Sequence, residues 1–285
     1  MPRFAYVNDR YVRHTSAQIH VEDRGYQFAD AVYEVVTVYD GKMVDATAHW
    51  DRLKRSLDRL NIPMPKSSQS LAIICRELIR RNHVTSGLIY LQVSRGISAR
   101  DHLIAGAMTP TLVITCRNKQ FRPLAVKNVR IRTVPDERWA RVDIKTVGLL
   151  PNSMAKSAAV ADGFDDAWMV DRDGMVTEGT SSNAWIVKRS EAGHTTLMTR
   201  HVSQAILNGI TKLRVKALSD GADWHLEERA FSVAEARDAD EAFLTSATSF
   251  VAPVVAIDGH SIGTGDAGPI TQAIQQHYFA YMLES

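Results

Sequence analysis

Two residues of this 285-residue chain have the types and surroundings that chemistry at a carbonyl would use. Lys145 lies in Val142-Asp143-Ile144-Lys145-Thr146-Val147, a short β-branched run that predicts a buried strand. An unpaired ammonium is unfavourable in a dry site. A lysine held there gives up its proton more readily and becomes a nucleophile that forms a Schiff base with an aldehyde. Glu178 ends a second predicted strand and opens the small polar loop Gly179-Thr180-Ser181-Ser182-Asn183. A carboxylate there suits the protonated ring nitrogen of an electron-sink cofactor. A solvated strand lysine and a Glu-Gly step entering a turn fit the same two residues, and the pair alone does not decide between these readings.

Three further groups have the chemistry of a phosphate cradle. Gly209-Ile210-Thr211 opens a predicted helix, where free amides and the macrodipole attract anions. Ser246-Ala247-Thr248 offers small residues beside which backbone amides approach a ligand closely. Arg52, beside the apolar stripe of its predicted helix, carries a guanidinium fork. Each has a plain counterpart: a threonine cap, a turn and a solvated arginine.

The elements that must position these groups follow from periodicity and turn chemistry. Asn8-Asp9-Arg10 separates two short strands as a hairpin would. Residues 31–39 alternate, with Tyr33, Val35, Thr37 and Tyr39 on one face and Val32, Glu34, Val36 and Val38 on the other; Asp40-Gly41 then turns the chain. Thr47 is the expected N-cap of a helix whose stripe is Trp50, Leu53, Leu57 and Leu60. A second helix is expected over residues 70–83, then strands over 88–93 and 111–115 around a polar loop at 95–108.

Beyond residues 118–124, the expected linker, come a strand at 129–133 and the Lys145 strand. A helix through Met154 and Ala159 and a hairpin around Arg172-Asp173-Gly174 follow. Strands at 184–188, 197–199 and 243–245 complete the set, with a helix running from Thr211 to about Gly221. The expected architecture is α+β in two domains, 1–117 and 125–285, with no Rossmann GxGxxG.

Composition narrows the function classes. Apolar content of 45% and charged content of 23% are those of a globular protein. A net charge of +2 implies no nucleic acid or other polyanionic partner. No apolar run reaches the roughly 18 residues of a membrane span. The isolated Cys75 and Cys116 offer no metal-ligand spacing and suit a reducing compartment, so a cytoplasmic enzyme is expected.

The motifs, taken in order, resemble those of the fold type IV pyridoxal-phosphate enzymes, and within them the D-amino-acid transaminases. The resemblance rests on Glu22-Asp23-Arg24-Gly25-Tyr26-Gln27-Phe28-Ala29-Asp30 followed by Val32-Tyr33-Glu34, on Asp51-Arg52-Leu53, and on the loop Arg95-Gly96-Ile97-Ser98-Ala99-Arg100-Asp101-His102. Asp143-Ile144-Lys145, Glu178-Gly179-Thr180-Ser181-Ser182-Asn183, Gly209-Ile210-Thr211 and Thr245-Ser246-Ala247-Thr248-Ser249 extend it over roughly residues 4–260.

The resemblance implies a small N-terminal α/β domain and a larger, β-rich C-terminal domain with helices. It implies pyridoxal 5′-phosphate bound to Lys145, which also moves the substrate proton, with Glu178 at the ring nitrogen. Arg52 and the amides near Ile210, Thr211, Ser246 and Ala247 would take the phosphate. Thr180, Ser181, Ser182, Asn183, Leu207 and Gly209 would complete the cofactor site. Tyr33, Arg100 and His102 would trap the substrate carboxylate, the last two reaching in from the neighbouring subunit of a homodimer.

The implied activity is ping-pong transamination between a D-amino acid and a 2-oxo acid. An (R)-amine transaminase, a branched-chain L-amino-acid transaminase and an aminodeoxychorismate lyase are the alternatives on the same fold. Ala29 and Ala31 stand where glycines are common, Ala247 where a hydroxyl is frequent, and Phe250-Val251 where a more polar pair is frequent.

Overall fold

A computed structural model describes residues 2–219 and 223–284. Strands β1 (Phe4–Val7) and β2 (Arg10–Arg13) form the expected hairpin, with Asn8 and Asp9 in the left-handed backbone region that such a tight turn demands. After helix α1 (Arg24–Phe28), strand β3 (Ala31–Tyr39) turns through Asp40-Gly41 into β4 (Lys42–Met43). Helices α2 (Ala46–Arg59) and α3 (Ser68–Asn82) follow, then β5 (Gly87–Ser94) and β6 (Thr111–Asn118). The six strands pair antiparallel in the order β2-β1-β6-β5-β3-β4.

Val32, Val36 and Val38 of β3 join Leu53, Leu57, Leu71 and Leu78 of the helices in one core. The period-2 face of the strand thus meets the 3.6-period stripes of the helices, as the alternation requires. The cap of α2 differs from expectation. It is Asp45 rather than Thr47, and it lies in the left-handed region without a side-chain cap bond. Ser67 caps α3 by accepting from the Ser70 amide.

The second unit is built on strands β7 (Val129–Pro135), β8 (Asp166–Val170), β9 (Val176–Gly179), β10 (Asn183–Arg189) and β11 (Thr195–Thr199). Strands β12 (Trp224–Glu228), β13 (Glu241–Ser246), β14 (Phe250–Ile257) and β15 (His260–Ser261) complete it. Its nine-stranded sheet mixes parallel and antiparallel pairs. Helices α4 (Leu150–Ala161), α5 (Ile210–Leu218), α6 (Val233–Arg237) and α7 (Pro269–Glu284) accompany it. Helix α5 ends at Leu218, and the expected stop at Gly221 lies outside the described residues.

The division of the chain is not contiguous. The first unit runs to Phe121 and takes in Ile144–Gly148, whereas the second comprises Arg122–Asp143 and Leu149–Glu284. This corrects the split at 117 and 125: Arg117 and Asn118 belong to β6, and the Lys145 segment packs with the first unit. Among the described residues no helix is long and apolar enough to cross a membrane.

Candidate active site

The segment carrying Lys145 is not the buried strand its β-branched residues predict. Strand β4 pairs with β3 only at Val38 and Tyr39, which leaves the early part of β3 with an open edge. Residues 145–147 take that edge. The Tyr33 amide donates to the Lys145 carbonyl (3.0 Å), the Val147 amide to the Ala31 carbonyl (3.1 Å), and Thr146 bridges Val32. Ile144, 4% exposed, anchors the segment in the core of the first unit.

Lys145 itself is half-buried. Its Nζ sits 4.1 Å from the centroid of the Tyr33 ring, which stacks on Tyr90 at 5.6 Å. The lysine is therefore held at an aromatic surface, on the face of β3 opposite the helices.

On the helix-facing side of β3, Glu34 is fully buried. Its carboxylate accepts a fork from Arg52, Nε at 2.8 Å and Nη2 at 2.7 Å, and its Oε2 lies 2.7 Å from His49 Nδ1. Burial raises the carboxyl pKa, but the Arg52 charge and the bonds from Arg52 and His49 prevail and bring it down to about 2. Burial lowers the His49 pKa despite Glu34, so the imidazole is neutral near pH 7 and its Nδ1–H donates. Arg52, expected to be a free fork for a phosphate, thus commits two nitrogens to Glu34. Glu34 was readable as an inward residue of β3, but its pairing depends on where α2 docks.

Arg100 and His102 are exposed and gather around one ring. The Arg100 guanidinium carbon is 4.8 Å from the centroid of Phe28, and the His102 ring is 5.5 Å away. Tyr33 stands apart from them, against Tyr90 and Lys145.

In the second unit, Glu178 lies 5% exposed in β9 and its carboxylate is fixed on several sides. Oε1 takes a short bond from Arg138 Nη1, and Oε2 accepts from Asn183 Nδ2 (2.9 Å) and the Leu207 amide (3.1 Å). Arg138 also bonds Asp136 through Nε (2.9 Å) and Nη2 (2.7 Å). Burial opposes the Arg138 charge, but Asp136 and Glu178 outweigh it and hold its pKa above the usual arginine value. Sequence reasoning missed Arg138 because its segment shows no periodicity; the acid–x–base spacing Asp136-Glu137-Arg138 was its one signal.

Thr180 is buried and donates to Asp166 Oδ1 (2.5 Å), whereas Ser181 is exposed. Ser182 Oγ is buried without a hydrogen-bond partner among the described residues. Gly209 is the N-cap of α5 and brings no side-chain acceptor to the first helical amides, those of Ile210 and Thr211. A Cβ at Gly209 would come within 2.1 Å of Asn183 Oδ1, so only glycine allows this approach. Ser246 ends β13 and Ala247 opens the turn into β14, and Ser246 Oγ accepts from the Thr248 (3.3 Å) and Ser249 (3.1 Å) amides.

Among the described residues the fully dry lysine is Lys212, not Lys145. It is 0% exposed, bonds the Arg200 carbonyl and lies 3.6 Å from Glu228.

A family model for amino-transferase class IV matches residues 31–257. The chain is 33% identical to a D-alanine aminotransferase of Staphylococcus haemolyticus over 279 residues, 97% of each chain. It is 38% identical to that of Bacillus licheniformis over 269 residues, 94% of this chain and 93% of the other. The branched-chain amino acid aminotransferase of Escherichia coli superposes with a TM-score of 0.92 at 23% identity, over 99% of this chain and 95% of its own, a likeness of fold. That of Thermoproteus uzoniensis, solved with norvaline, gives 0.87 at 26% identity with the same coverage.

Proposed function

We propose, from the premise that this chain belongs to the class IV amino-transferases, that it moves an amino group from a D-amino acid such as D-alanine to a 2-oxo acid such as 2-oxoglutarate. The family works with pyridoxal phosphate on amino and oxo acids. When bound, that cofactor supplies an aldehyde for the substrate amine and a ring that accepts the charge left at Cα.

The residues fit such a group. Glu178 is a buried, oriented carboxylate suited to a ring nitrogen, with Arg138, Asn183 and the Leu207 amide fixing its direction. The glycine cap leaves the amides of Ile210 and Thr211 without a side-chain acceptor from the cap, as a phosphate site needs. Arg52, Ser246 and Ala247 would share that phosphate. The unpartnered Ser182 hydroxyl offers a further polar contact, with Thr180, Ser181 and Asn183 on the same loop.

Lys145 would hold the cofactor through its amine, then take the proton from substrate Cα and return it on the other side of the reaction. Arg100 and His102 donate to the substrate carboxylate with the Tyr33 phenol, which fixes which hand of the substrate presents its Cα–H to the lysine. Turnover is ping-pong, the oxo product leaving before the oxo acceptor binds. A homodimer in which Arg100 and His102 serve the neighbouring subunit accounts for their exposure in the single chain. We place the enzyme in the cytoplasm.

The observation that carries the reading is the near-full-length likeness to D-alanine aminotransferases in a chain with Lys145 seated at the Tyr33 ring. D-alanine with 2-oxoglutarate should yield pyruvate and D-glutamate. Turnover of L-alanine in place of D-alanine would overturn the stereochemical assignment. A branched-chain L-amino-acid transaminase is the second reading, favoured by the likeness to the Thermoproteus uzoniensis enzyme. Turnover of L-leucine without D-alanine would select it.

A further inference from the structure

We infer that Arg24 is a positioning residue that sets the backbone of the Arg100/His102 loop and thereby the grip on the substrate carboxylate. The inference rests on the reading of Arg100 and His102 given above. Arg24 is 3% exposed, although arginine is almost never buried without a task for its guanidinium. Its Nη1 donates to the Asp101 carbonyl at 2.7 Å, the backbone group between Arg100 and His102. Its Nε donates to Asp30 Oδ2 at 2.9 Å, and its guanidinium carbon lies 4.7 Å from the centroid of Phe28. That ring is the one on which Arg100 and His102 rest.

The same guanidinium therefore bonds the loop backbone and packs on the platform of both recognition side chains. Behind it stands a fixed base. Asp30 accepts from Arg95 Nε (2.7 Å) and Nη2 (3.0 Å), and Arg95 in turn donates to the Leu60 carbonyl (2.9 Å). Burial disfavours the Asp30 charge, but Arg95 and Arg24 hold its pKa below the usual carboxylate range. The loop has its own start and stop within this frame. The Arg24 amide donates to the Gly96 carbonyl (2.9 Å), and the Leu103 amide donates to Asp101 Oδ1 (3.0 Å).

Residues 97–102 are otherwise exposed or half-buried, so few packing contacts are available to hold them, and the buried fork supplies what packing does not. A lysine cannot replace it, because one ammonium cannot span Asp30 and the Asp101 carbonyl in the fixed geometry of a guanidinium.

The test is a double-mutant cycle on the holoenzyme with R24A, R100A and the double variant, supplemented by R24K. Steady-state constants for D-alanine are measured alongside cofactor absorbance and melting temperature. R24A should raise KM about tenfold with kcat within about twofold of wild type, the signature of lost binding rather than lost chemistry. In the R100A background it should add less than about twofold, because the two residues act through one loop. R24K, which keeps a charge beside Asp30, should fold and raise KM to a similar degree.

Wild-type KM in R24A or R24K while R100A raises it would overturn the inference alone. Fully multiplicative effects in the double variant would do the same, since they assign Arg24 an independent structural role. An unchanged KM in R100A would overturn the carboxylate reading itself, and the role of Arg24 with it.

Discussion

Replacing Glu34 by glutamine preserves its shape and removes one charge from a site with no solvent contact. In the native protein the carboxylate ionises with a pKa of about 2 instead of the ordinary 4.5, because the Arg52 fork and His49 outweigh its desolvation. A depression of that size corresponds to about 3 kcal/mol of native-state stabilisation at pH 7, at the lower end of the roughly 3–5 kcal/mol expected when one partner of a buried ion pair is removed.

The sign fixes the pH window. The folded-state pKa is lowered, so the stabilisation is complete above about pH 4.5 and is lost as pH falls towards 2. Urea unfolding of wild type and E34Q should therefore differ by about 3 kcal/mol at pH 7 and by roughly half that or less at pH 3. Arg52 loses its fork in E34Q, so cofactor release on dilution should also quicken. A difference below about 0.5 kcal/mol at pH 7, or one that does not change down to pH 3, would refute the assignment of this pair as the buried anchor of Arg52.

The other predictions are briefer. Lys145→Ala should lower transamination at least about a thousandfold in a coupled pyruvate assay, since one amine serves as anchor and base; activity near wild type would remove Lys145 from the mechanism. Ala29 sits at φ 55° in the left-handed region, where a Cβ is strained, so A29G should stabilise the protein by about 0.5–1 kcal/mol and raise Tm by a degree or two. Lys212, lowered from 10.5 to about 8 by burial against the pull of Glu228 and with Lys216 nearby, carries a charge penalty that is full below pH 8 and relieved towards 10.5. Wild-type Tm should therefore rise relative to that of K212M between pH 7.5 and 9.5, and a parallel pair of curves would contradict this.

What was readable in the sequence was chemistry that the chain decides locally. Asn8-Asp9 and Asp40-Gly41 tolerate positive φ, so two hairpin turns were readable there, although Arg10, expected in the first turn, begins β2 and pairs with Val7. The alternation of β3 sorted Glu34 from Tyr33 onto opposite faces before any partner was known. The ordered motifs around Lys145, Glu178 and Gly209 indicated the reaction class. Some elements lacked a local signal. Helix α7 buries Thr271 and Gln275 beside Ile274 and Tyr278, so its inward face is half polar and its periodicity weak; Glu241 and the Val251 carbonyl satisfy those groups only after packing. In β14, Pro253 is tolerated because β7 begins to pair only at Val254, a fact no turn rule contains.

Which lysine is dry was likewise a tertiary matter. Composition around Lys145 argues for burial, but desolvation depends on what covers the side chain. The open edge of β3 captured residues 145–147 as a bridge with Lys145 half-buried, whereas Lys212, unremarked in the sequence, was closed off completely. The sequence by itself determined which groups are present and what each can donate, accept or attack, since those are properties of single residues. The tertiary structure alone decided that Glu34 holds Arg52, that Arg138 holds Glu178 and that Arg24 holds the Asp101 carbonyl, because a buried charge is tolerated only where a partner distant in the chain arrives to meet it.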